Sequence, residues 1–123
     1  MISEVNERST AVYTATIKDE DDTAIASASL TTLTLTLYDA ANGTIINSRN
    51  GQNVLNANNV TIHATSGLLT WTMQTADNVI VWKKASGQFE KHIALFRWTW
   101  DSGAKAGSHE VEIRVKQRTK IAD

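Results

Sequence analysis

The residues best equipped for chemistry are an acidic run, Asp19, Glu20, Asp21 and Asp22, and three histidines, His63, His92 and His109. Crowded carboxylates offer the hard oxygen ligands that calcium takes. The run lacks the alternating spacing of a D-x-[DN]-x-[DN]-G loop, and consecutive carboxylates have low strand propensity, so it reads as a solvated turn. The histidines fall on three separate segments without the short spacing of a zinc site, and they read as strand residues satisfied locally or exposed. The chain has no cysteine, and no nucleophile elbow, glycine-rich phosphate loop or HExxH motif occurs in it. Glu110 and Glu112 share a strand face, as the charges of any solvated strand do. The expectation is a protein that is not an enzyme, with no catalytic residue, no metal and no cofactor.

Two further groups suit binding. If the last strand continues beyond Val115, Arg114, Lys116, Arg118 and Lys120 fall on one face at two-residue spacing. Such a basic stripe docks an acidic neighbour and speeds the encounter, or serves as a solubilising edge that resists strand addition. Glu4 and Glu7 in the amino-terminal arm carry the opposite sign and are expected to meet a neighbouring copy's basic tail. Tyr38 and Trp82 are the rings that an exposed stacking platform for a glycan would use, whereas Trp71, Trp98 and Trp100 read as core.

The whole-chain totals narrow the function classes. With 123 residues there is room for one domain with its own core. A net charge of -1 and a pI near 6.3 exclude the electrostatic footprint of a general nucleic-acid binder. The start, MISEVNERST, has no apolar run, so neither a signal peptide nor a membrane span is expected there, and cytoplasmic synthesis is the default.

These groups must be held by strands. In KHIALFRWTW, Lys91 to Trp100, the residues His92, Ala94, Phe96, Trp98 and Trp100 alternate with Ile93, Leu95, Arg97 and Thr99. Both faces carry apolar weight, which places this strand in the middle of a sheet. Leu33, Leu35 and Leu37 alternate with Thr34, Thr36 and Tyr38, and a last strand, Ser108 to Val115, is expected to turn His109, Val111, Ile113 and Val115 inward and Glu110, Glu112, Arg114 and Lys116 outward. Other strands are expected at Thr10 to Lys18, Thr44 to Ser48, Val60 to Ala64 and Leu68 to Met73, with one helical turn in Gln52 to Asn59. Residues 1–9 are expected to be a polar arm and 117–123 a basic tail. About seven or eight short strands without a periodic helix predict an all-β, Ig-like antiparallel β-sandwich. Its core should enclose Leu33, Leu35, Leu37, Trp71, Phe96, Trp98, Val111 and Ile113.

The order TATIKDEDDTAIASASLTTLTLTLYD, NGTIINSRNGQNVLNANNV, SGLLTWTMQTADNVIV, KHIALFRWTWDSG and HEVEIRV resembles small tailed-bacteriophage virion proteins, Ig-like domains related to the N-terminal module of baseplate upper proteins. The likeness covers roughly Tyr13 to Val115. It implies an accessory virion subunit that decorates the capsid or sits at the neck, tail or baseplate. Its partners would be other virion proteins, and it would act as a homo-oligomer or multi-copy array without nucleic acid or membrane. The chain ends soon after the domain, which favours a stand-alone subunit on a larger lattice. The alternative is a glycan- or receptor-binding module for host attachment.

Overall fold

The computed structural model describes residues 2–81 and 89–116. Eight strands are present among them: β1 (Ile2–Asn6), β2 (Val12–Thr16), β3 (Leu30–Asp39), β4 (Gln52–Asn53), β5 (Val60–Ile62), β6 (Leu68–Thr72), β7 (Phe89–Trp100) and β8 (Lys105–Lys116). They form a five-stranded sheet in the order β1-β8-β7-β3-β4 and a three-stranded sheet in the order β2-β6-β5. The two sheets close on one shared core, as in an Ig-like sandwich.

The two-residue period decides which side chains go inside. On β3 the three leucines are fully buried while Thr34, Thr36 and Tyr38 face outward, half-exposed. On β7 the inner row is Glu90, His92, Ala94, Phe96 and Trp98, and the outer row is Ile93, Leu95, Arg97 and Thr99. β7 lies between β3 and β8, so the ring-bearing strand is central, as its two apolar faces require. Trp100 is only half-buried, because a register shift between Leu30 and Thr32 ends the regular pairing beside it. Trp71 of β6 meets Phe96 edge-on at 5.7 Å and Tyr13 of β2 stacks on Phe96 at 6.4 Å, which ties the two sheets together. Leu33, Leu35, Leu37, Trp71, Phe96, Trp98, Val111 and Ile113 are buried as expected, whereas Trp100, also read as core, is not.

Three segments depart from expectation. The amino-terminal arm is not loose: Ile2–Asn6 pairs in parallel with Glu112 to Lys116, the single parallel pairing among the described strands. Thr44 to Ser48 forms no strand beyond one bridge from Ile45 to Tyr38, since Asn47 and Ser48 take positive φ and break the extended run. Residues 52–59 contain no helical turn. Asn56, Asn58 and Asn59 adopt positive φ there, which asparagine tolerates, and side-chain amides replace the missing ladder. Asn53 Oδ1 accepts from Leu55 N, and Asn56 Oδ1 from Ile62 N at 2.7 Å. A turn through Ser66 and Gly67 leads into β6. Gly67 has φ +70, and a Cβ there would stand 2.6 Å from the Ile25 carbonyl oxygen, so only glycine fits.

Candidate functional site

The acidic run and the three histidines lie apart from one another, although carboxylate oxygens of Asp19, Glu20 and Asp21 come within 4.8 Å of each other. Asp19 Oδ1 accepts from Asp21 N and Thr23 N at 2.9 and 3.0 Å, which makes the acidic run a self-capped turn. Lys18 pairs with Asp22 and Lys105 with Glu20 across its surface. His63 Nδ1 accepts from Thr65 N and Ser66 N, capping its own turn. His109 lies at the rim of the sandwich, where its Nε2 is hydrogen-bonded to the Tyr13 hydroxyl at 3.1 Å. Burial raises the Tyr13 pKa above the ordinary tyrosine value of 10.0. His92 is fully buried on the inner face of β7.

The expected docking groups are partly used within the chain. Arg114 NH1 contacts Glu4 Oε1 at 3.2 Å across the β1–β8 pairing, and its guanidinium lies 4.3 Å from the Phe89 ring centroid. Glu4 thus meets its own chain's arginine. Glu7 is only 5% exposed, which removes it from the free surface and corrects its assignment as a docking residue. Lys116 is exposed at the end of β8. Tyr38 stands half-buried on the outer sheet face, opposite Ile93. Arg118, Lys120 and Trp82 lie outside the described residues.

Two buried ionic clusters escaped the sequence reading. The first joins Arg49, after the irregular loop, to Asp77, in a short 3-10 turn at Thr75–Asn78. The guanidinium grips the carboxylate at both oxygens, Nε to Oδ1 at 2.6 Å and NH2 to Oδ2 at 3.1 Å. Further bonds complete the set: NH1 donates to Gln52 Oε1 and Asn58 O, while Asn47 Nδ2 and Gln74 N donate to Asp77. Trp71 lies under the guanidinium at 5.7 Å. In the second cluster, His92 Nε2 and Glu90 Oε1 are 2.6 Å apart, and Glu90 also accepts from Val81 N. Asp39 is the cross-strand neighbour of His92. His92 Nδ1 and Asp39 Oδ2 are buried without a hydrogen-bond partner among the described residues.

What remains accessible is a sheet face and a sheet edge. On the outer face of the larger sheet, Thr32, Thr34, Arg97, Thr99, Ala106 and Ser108 line a shallow groove of about 530 Å³. Arg97 is exposed and has no ion-pair partner among the described residues. Hydroxyls around one guanidinium suit a ligand bearing hydroxyl or carboxylate oxygens. On the smaller sheet, β2 pairs with β6 on one side only. Ala11 O accepts from Met73 N and Ile17 N donates to Gly67 O, so in this antiparallel ladder the odd-numbered residues bond to β6. The N–H and C=O groups of Val12, Thr14 and Thr16 therefore point away from the sheet, and their side chains are exposed. The alternation of Val12, Thr14 and Thr16 with Tyr13, Ala15 and Ile17 announced the strand, but not that its flank would be bare. No protein-family model matches this chain, and neither does any curated protein.

Proposed function

We propose that this chain is a non-enzymatic structural component of a tailed-phage virion, an accessory subunit that binds the capsid or the neck and tail. The resemblance supplies the setting, and the observation that carries a binding role is the bare β2 edge. A row of unpaired backbone donors and acceptors is a template for another strand, and strand addition gives affinity without a catalytic cleft. The buried charges support this reading because they are turned inward on each other, away from any surface at which a substrate would sit. Contacts that are weak singly suffice when many copies bind one symmetric lattice.

The test is cosedimentation of the purified chain with parent particles that lack it. Saturable binding is expected, at a fixed ratio to the lattice subunit. Thr14→Pro removes an outward N–H without touching the β6 ladder, and proline is tolerated on an edge strand in that orientation. It should weaken binding about tenfold or more, in line with the loss of a main-chain bond and closer strand approach. A chain that ignores the particles would end the structural-subunit reading.

The outer-face groove favours a second reading, a glycan- or receptor-binding module displayed for host attachment. Tyr38 shares that sheet face with the Arg97 groove, on the same strand as Thr32 and Thr34. A glycan array separates the two: this reading expects saturable sugar binding that Arg97→Ala abolishes, whereas the lead reading expects none.

A further inference from the structure

We infer that β2 is a self-pairing edge: two copies of this chain join antiparallel about a two-fold axis at Thr14 and fuse their three-stranded sheets into one. The inference rests on the structural-subunit reading for its biological setting and names the partner of that edge.

The vacancy comes from the topology. In an Ig-type sandwich the first strand flanks the second, in the sheet ordered A-B-E-D. Here β1 has crossed to the larger sheet, where it pairs with β8, and no strand among the described residues takes its place beside β2. Natural edges are guarded by lysine, proline, bulges or brevity. β4 and β5 are two and three residues long, and β1 carries Glu4 bound to Arg114. β2 has none of these guards. It runs Val-Tyr-Thr-Ala-Thr in unbroken register with β6, uncharged throughout, and Val12 is 64% exposed.

The same residues select a second copy as the occupant. With Thr14 on the axis, its N–H and C=O bond reciprocally to those of the other Thr14, and Val12 of each copy faces Thr16 of the other. Continuing outward, Thr10 meets Lys18. Between residues 10 and 18 no like charges oppose one another in this register. The acidic turn 19–22 follows β2 and Arg8 precedes it, both exposed. An antiparallel pair brings the acidic end of one copy to the arginine end of the other, whereas a parallel pair would set acid against acid. An isologous contact of this kind closes on itself, so the β2 edge acts on particle binding by linking copies whose outer faces meet the lattice.

Sedimentation equilibrium of the full chain tests this. Reversible dimerisation is expected, with Thr14→Lys and Thr14→Glu each weakening association about tenfold or more by placing like charges on the axis. An equimolar mixture of the two variants should dimerise again, which a foreign partner or another face would not produce. Circular dichroism melts of both variants should match the parent chain, since Thr14 points into solvent. A chain monomeric up to ~1 mM, a dimer indifferent to Thr14→Lys, or no recovery in the mixture would each overturn self-pairing. Monomers that still cosediment with particles would remove self-pairing alone, and dimers that bind no particle would remove the structural-subunit reading alone.

Discussion

The two buried ionic clusters sit in the same small core and solve the same problem differently. Arg49 and Asp77 are each about 1% exposed, and the guanidinium and carboxylate meet in a two-point grip with neighbouring amides filling the remaining sites. The Glu90, His92 and Asp39 cluster is as deeply buried but leaves His92 Nδ1 and Asp39 Oδ2 unmatched among the described residues. Burying a charge costs several kcal/mol, and only a completed set of bonds offsets it. Arg49 and Asp77 therefore act as a clasp between two irregular segments, whereas Asp39 is a buried polar group left half-matched.

One substitution applied to each cluster breaks or sharpens that contrast. Asp77→Asn should cost about 3–5 kcal/mol, because it strands a buried guanidinium. A urea denaturation midpoint close to that of the parent chain would refute the clasp. Replacing both partners, Arg49→Met with Asp77→Leu, should recover most of that loss, since the desolvation penalty leaves with the charges. Asp39→Asn should cost less, about 1–3 kcal/mol, because Oδ1 still accepts from Ala41 N while the amide places unmatched N–H groups where Oδ2 has no partner. A loss as large as that of Asp77→Asn would show a hidden partner for Asp39.

The smallest effect belongs to the half-wet pair at the rim, Tyr13 with His109. Burial raises the Tyr13 pKa in the folded chain, so the unfolded chain gives up that phenol proton first as pH climbs past the ordinary value of 10.0. Folding stability is thus unaffected by Tyr13 below that pH and falls above it. Denaturation of the parent chain and of Tyr13→Phe across alkaline pH should show the decline smaller in the variant. Identical profiles would mean that Tyr13 ionises alike in both states.

Local pattern was enough for the strands that bury one clean face. The leucine and threonine alternation of β3, the valine and isoleucine of β8, and the turn at Gly67 were all legible, because each depends on neighbours within a few residues. Polar residues on inner positions were legible in parity only. His92 shares the period of Phe96, but nothing local shows that Glu90 will meet it in the dry core. Arg49 and Asp77 are 28 residues apart in two irregular segments, so no spacing rule could join them. The arm was misjudged for the same reason. Its pairing with β8 spans most of the chain, as the Glu4 to Arg114 contact does at 110 residues.

By itself the sequence determined that this chain folds as strands around a ring-rich middle, because side chains alternate sides along extended backbone and apolar ones leave water wherever they fall. Tertiary structure decided which edge is open and which charges are spent inside. Those outcomes depend on where β1 docks and on contacts between distant segments, and an amino-terminal strand that moves to the other sheet uncovers β2 without changing a residue in it.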